Sequence, residues 1–124
     1  MTIHNVYVGD LADPNFRWEG GDWDGNVPRP LGPSFAGGDF RMYAAVMHAI
    51  REGRYEGKQT DFGGWVAKVR RQHILDLIEE LYGRDPWYTD PSKMPHLYMQ
   101  LRELRAFVHS LDPAAIYALV AWEL

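Results

Sequence analysis

Residues 58–83 read KQTDFGGWVAKVRRQHILDLIEELYG, and the fold turns on whether they form one helix or a strand followed by a helix. A single helix from Asp61 to Tyr82 would hold Gly63 and Gly64 in its first turn, at a cost of roughly 2 kcal/mol relative to alanines. Trp65, Ala67 and Val69 instead alternate with Val66 and Lys68, the period-two pattern of a strand. We therefore expect a strand over 65–69 and a helix beginning near Arg70. Ile74, Leu77, Ile78 and Leu81 would form the helix's buried stripe, with Gly83 closing it. The single helix from Asp61 remains the alternative.

Working outward, residues 3–8 alternate, with Val6 and Val8 opposite Tyr7, and predict an N-terminal strand that Asp10–Pro14 ends with turn chemistry. Residues 40–50 place Phe40, Tyr43, Met47 and Ile50 on one helical stripe. Asp39 is suited to cap that helix and Gly53 to stop it. Residues 84–95 form a connector in which Pro86, Pro91 and Pro95 break any helix. Leu97, Leu101, Leu104, Val108 and Leu111 then repeat at helical spacing. Asp112-Pro113 could open a further helix, but residues 116–124, β-rich and apolar on both sides, fit a buried central strand better. The expected fold is one α+β domain over residues 1–124. A small, mostly antiparallel sheet from the N-terminal, middle and C-terminal strands packs one face against about three helices, with a long irregular segment over about 11–38.

Composition narrows function more than it names it. The 124 residues contain no cysteine, so no disulfide, thiolate ligand or cysteine nucleophile exists. No secretory signal pattern opens the chain, and the longest apolar run, 114–122, is too short to span a bilayer. The expectation is a cytoplasmic protein that does not enter membranes. Its net charge of −4 is localised: residues 1–40 carry six acids against Arg17 and Arg29, and the remainder balances. That distribution argues against nucleic-acid binding through a basic patch and admits a basic protein partner.

Within the irregular segment, Asp22, Asp24 and Asn26 have the alternation of a calcium loop. However, Val27 and Pro33 stand where an EF-hand loop needs glycine and glutamate, so no metal is assigned. Asx-turns account for the same residues. Pro28, Pro30 and Pro33 favour a stiff, extended path. No phosphate loop, nucleophile elbow or zinc-type histidine pair is present, and no cofactor is implied. His73, Asp76 and Glu80 share a helical face, the arrangement of a solvated helix surface as well as of a weak acid–base or cation site. The segment from Lys58 and Gln59 to Asp61 and Trp65 combines polar side chains, paired glycines and aromatics. It suits either an interface or a hairpin turn whose Phe62 and Trp65 cover the core.

The function expected is that of a small acidic protein-binding domain, of the inhibitor, immunity or antitoxin type. Glu19, Asp22 and Asp24 would face a basic partner while Trp18, Trp23 and Trp65 anchor it, with Lys58, Gln59 and Asp61 alongside. The competing reading is a small-ligand domain or enzyme with its pocket at the Lys58–Trp65 segment, using Asp61 and His73. A structural part in a larger assembly is the third.

Overall fold

The computed structural model describes residues 4–18, 27–35, 40–60 and 64–123. In chain order they form β1 (His4–Gly9), α1 (Phe40–Arg51), β2 (Glu56–Thr60), β3 (Gly64–Val69), α2 (Arg71–Tyr82), α3 (Pro86–Thr89), α4 (Pro95–His109) and β4 (Tyr117–Glu123). The strands make one sheet in the order β1-β4-β3-β2 with every neighbouring pair antiparallel. This is the expected α+β architecture, and the C-terminal strand lies inside the sheet.

The 58–83 stretch resolves as strand then helix, with Arg70 between β3 and α2. What sequence patterning left out is β2. Its residues, EGKQT, carry no apolar alternation, and only Thr60 is buried. An edge strand takes its hydrogen bonds from one neighbour and can keep polar side chains on both faces. Backbone pairing with β3, from Glu56↔Lys68 to Thr60↔Gly64, therefore suffices.

Two helical details also differ from expectation. The stripe of α1 is rotated: Met42, Tyr43, Val46 and Ala49 are buried and Phe40 is 49% exposed. The small Ala49 and Val46 let the helix approach the sheet closely, which the apolar spacing of larger residues did not reveal. Gly53 does supply the left-handed stop, at φ 77°. Gly83 closes α2 as expected, in the right-handed conformation at φ −60°, with its N–H donating to Glu79. Within the expected connector, Asp85 caps the short α3 by accepting from the Trp87 amide, with Pro86 at the first position. Asp39, expected to cap α1, lies outside the described residues.

The sheet is covered on both faces. On one, Val6, Val8, Trp65, Ala67, Val69, Leu119 and Ala121 meet α1, α2 and α4 in the main core. On the other, Tyr7, Val66, Ala118 and Val120 lie beneath Phe16, with Leu11, Trp18, Val27 and Trp122 packed around them. The helices occupy a single face, so this second cover comes from the irregular segment. Strand β4 is consequently buried on both sides, as its unbroken apolar run implied.

The same segment then closes the outer edge of β1. Val6 and Phe35 exchange backbone hydrogen bonds of 3.1 and 2.7 Å, and the Leu31 amide donates to the Val8 carbonyl. Pro30 bridges Gly9 at the position whose N–H would otherwise point away from the sheet. A proline there presents no outward donor, which discourages another strand from adding. Phe35 continues round the edge to stack against Tyr82 and Tyr88 on the helical side. Gly32 passes so close to the Phe107 ring of α4 that a Cβ would lie 2.5 Å from it. Among the described residues no helix is long and apolar enough to cross a membrane.

Burial of β4 on both faces makes it sensitive on both. Leu119→Ala, on the helical face, is expected to lower the unfolding free energy by about 3 kcal/mol. Val120→Ser, facing the wrap, should destabilise in the same sense by leaving a buried hydroxyl without its water. Urea unfolding of each variant checks this. Wild-type stability in Val120→Ser would mean the second cover is not a packed core.

Candidate functional site

The irregular segment holds to the sheet through a polar clip. Asp13 is buried, and its two carboxylate oxygens accept from the amides of Asn15 and Arg29, each at 2.9 Å. One side chain thus joins the outgoing residues 10–18 to the returning residues 27–35. The Tyr7 hydroxyl reaches through the same layer to donate to the Pro28 carbonyl at 2.8 Å. The Asp10 amide donates to the Arg29 carbonyl, and the Arg29 guanidinium meets Asp10 at 3.0 Å on the surface. The last pair is exposed and adds little stability; the directed bonds to buried Asp13 and from Tyr7 set the path.

Electrostatics follow from that geometry. Donation by the Asn15 amide, and then by that of Arg29, holds the Asp13 carboxyl below the ordinary carboxylate range. Burial, seconded by the nearby negative charge of Asp13, pushes the Tyr7 phenol up to about 12.

Trp18 is the last residue before the acidic stretch 19–26, and Val27 is the first after it. Both pack on the wrapped face, beside Phe16 and the Val66–Val120 layer. The indole of Trp18 is within reach of two ammonium groups, 4.2 Å from Lys68 Nζ and 5.9 Å from Lys58 Nζ, while Lys58 is also 5.6 Å from the Phe16 ring. Lys58 donates to the Arg17 carbonyl at 3.3 Å, and Lys68 pairs with Glu56 across the sheet at 3.7 Å. The lysines of the β2–β3 hairpin therefore hold the tryptophan by cation–π attraction.

Of the residues singled out from sequence, Trp18 and Lys58 are brought together in this way. Trp65 points to the opposite face, 6% exposed within the helical core with the Arg51 guanidinium 5.1 Å from its ring. Gln59 is exposed on the edge strand β2, in register with Trp65. Glu19, Asp22, Trp23, Asp24 and Asp61 lie outside the described residues, as does Phe62. Sequence reasoning passed over Lys68, Tyr7 and Asp13. Lys68 carried a usable signal, a lone charge in an otherwise apolar strand.

The face of α2 behaves as a helix surface. His73 Nδ1 accepts the Arg70 amide at 3.1 Å, capping the first turn, and Asp76 accepts from the Gln72 amide group at 2.8 Å. That bond ties one nitrogen of His73, the histidine considered for acid–base work, to the backbone. Among the described residues no three His, Asp or Glu side chains gather to hold a metal ion. No protein family model matches the chain, and comparison with curated proteins and with solved structures likewise finds no match.

The clip is expected to leave opposite marks at the two ends of the pH scale. Asp13, with its folded pKa depressed, contributes stability above about pH 4, its unfolded value, and loses it as pH falls through the lower folded value. Asp13→Asn should therefore show a shallower decline in melting temperature below pH 4 than the wild type, from a lower starting point. Tyr7, with its folded pKa raised, contributes fully below about pH 10 and loses that contribution as pH rises towards 12. Tyr7→Phe should cost about 1 kcal/mol at neutral pH and remove part of the alkaline decline; Tyr43 and Tyr55, whose phenols burial also raises, contribute to what is left. Thermal melts from pH 2 to 12 measure both slopes; a wild-type slope in either variant rejects that residue's part.

Proposed function

We propose that this chain is a protein-binding domain that acts by occupying the surface of a partner. Its principal contact is the acidic, aromatic stretch EGGDWDGN at residues 19–26. The observation supporting this is that both flanks of the stretch, Trp18 and Val27, are packed on one face of the sheet, with Trp18 held by Lys58 and Lys68. A segment tethered at both ends to a rigid scaffold loses less freedom on binding than a free peptide. Segments so mounted are a common place for recognition.

The division of labour follows from residue chemistry. Glu19, Asp22 and Asp24 supply negative charge that speeds approach to a basic surface. Trp23 supplies a large apolar side chain of the type that dominates interface energies. The partner implied is a protein with a basic patch.

Affinity capture from the source cell followed by titration with the purified partner tests this. Trp23→Ala is expected to weaken binding by about 2 kcal/mol or more. Asp22→Asn with Asp24→Asn should mainly slow association and flatten its dependence on salt. Both should leave the melting temperature of the domain within a few degrees of wild type. Unchanged partner affinity and association rate in both variants would overturn the assignment.

A further inference from the structure

A groove of about 440 Å³ lies on the helical side of the molecule, between α3 and one face of α4. It is lined by Tyr88 and Thr89 from α3 and by Tyr98, Leu101, Arg102, Arg105, Ala106 and His109 from α4. The α4 residues follow at spacings of three, one, three, one and three, a single helical face. Leu101 and Tyr88 are buried and form an apolar floor, while Arg102 and His109 stand exposed above it.

The charge of this lining is of one sign. It holds two arginines and a histidine and no carboxylate. Three acids elsewhere in the helical layer, Asp85, Asp90 and Asp112, are already engaged. Asp85 binds Arg41 at 2.8 Å, Asp90 accepts from the Ser92 hydroxyl at 2.6 Å, and Asp112 accepts the Ala114 amide at 2.9 Å. Arg105 meets Glu79 only at 4.0 Å, between exposed side chains. Arg102 makes no hydrogen bond or ion pair with the described residues. The last carbonyls at the end of α4, which would repel an anion, are shielded in part: Arg71 donates to the His109 and Leu111 carbonyls at 3.1 Å each.

We infer that this groove binds a small phosphorylated molecule carrying a flat ring. Arg102 and Arg105 are one helical turn apart, so their guanidinium groups can approach a single anionic centre from adjacent positions. Each presents a planar fork of donors suited to phosphate oxygens. The Tyr98 hydroxyl adds a neutral donor, while that of Thr89 is spent on the Asp85 carbonyl at 2.9 Å; with the two forks the donors exceed what the two oxygens of a carboxylate can use and better match the three of a phosphate monoester. The half-buried ring of Tyr98, beside the floor of Leu101 and the edge of Tyr88, offers the apolar surface on which a ring can lie. The cavity volume is within the range of small-molecule sites. This site is independent of the 19–26 stretch, whose flanks lie on the opposite face of the sheet.

Phenyl phosphate is the probe, titrated into the full chain and followed by NMR of the arginine Nε–H and Tyr98 signals and by calorimetry. Saturable binding below about 10 mM, with shifts at Arg102, Arg105 and Tyr98, is the expected result. Arg102→Gln and Arg105→Gln should each weaken it by about tenfold, with Arg54→Gln, which pairs with Glu52 and does not line the groove, as the unaffected control. Ala106→Leu, which fills the groove without touching charge, should also weaken binding, and circular dichroism confirms that each variant is folded. Absence of saturable binding, or equal binding by the arginine variants, overturns the site. Tighter binding of benzoate than of phenyl phosphate overturns the phosphate assignment. A dimer in sedimentation that Arg102→Gln dissolves would assign the groove to a second copy of the chain and overturn the small-ligand reading.

Discussion

The structure depends on one constraint: β4 and β3 are apolar on both faces, and the helices can cover only one of them. Val66 and Val120 are wholly buried on the side away from α1, α2 and α4. At about 25 cal/mol per Å² of apolar surface, leaving that layer in water would forfeit several kcal/mol, a large share of the stability of a domain this size. The second cover has to come from somewhere, and among the described residues it is the N-terminal segment that supplies it. Its irregular backbone is a consequence. A third layer of regular helix would require an apolar stripe that residues 10–35 do not possess.

Covering a sheet with irregular chain raises a problem that helices do not have, since each backbone polar group placed against an apolar layer needs a partner. The Asp13 carboxylate meets it by accepting from two separate amides, and the Tyr7 hydroxyl by satisfying the Pro28 carbonyl. Prolines at 28, 30 and 33 lower the demand further, because each removes a donor from the segment. The same residues that look like loop composition are therefore the ones that make a backbone without regular structure acceptable beside a core. Trp18 extends this logic outward, where a half-buried indole is held by lysine ammonium groups.

Legibility from sequence followed how strongly each residue's environment is dictated locally. The strand–helix division at Arg70, the stripe of α4 and the interior position of β4 were legible, because apolar periodicity and the placement of glycines carry them. Strand β2 was not, since its pairing is a backbone property and EGKQT advertises nothing. The rotation of α1, with Phe40 turned out and Ala49 turned in, was hidden for a related reason: small side chains at a close helix–sheet contact count for little in a hydrophobic pattern. Trp65 shows the same ambiguity in a candidate site. An aromatic beside paired glycines suits an interface or a core equally, and only the register with Ala121 and Gln59 places its side chain among the helices. The groove of α4 left a usable trace: Tyr98, Arg102, Arg105 and His109 recur at helical spacing with no acid among them.

The two charged features differ in sign, and the fold keeps the flanks of the first away from the second. The acidic stretch 19–26 begins and ends on the wrapped face, at Trp18 and Val27. The arginines of α4 belong to the helical layer on the other side of the sheet. Packed layers stand about 10 Å apart, and exposed charges are largely screened beyond a Debye length of about 8 Å at physiological salt. The flanks of the acidic stretch are separated from the α4 groove by the thickness of the sheet and of the helices above it. At that separation an acid held on the wrapped face, such as Asp13, does little to neutralise Arg102 and Arg105. An overall acidic protein can therefore offer a locally cationic groove, and net charge by itself is a poor guide to what each surface of this molecule will bind.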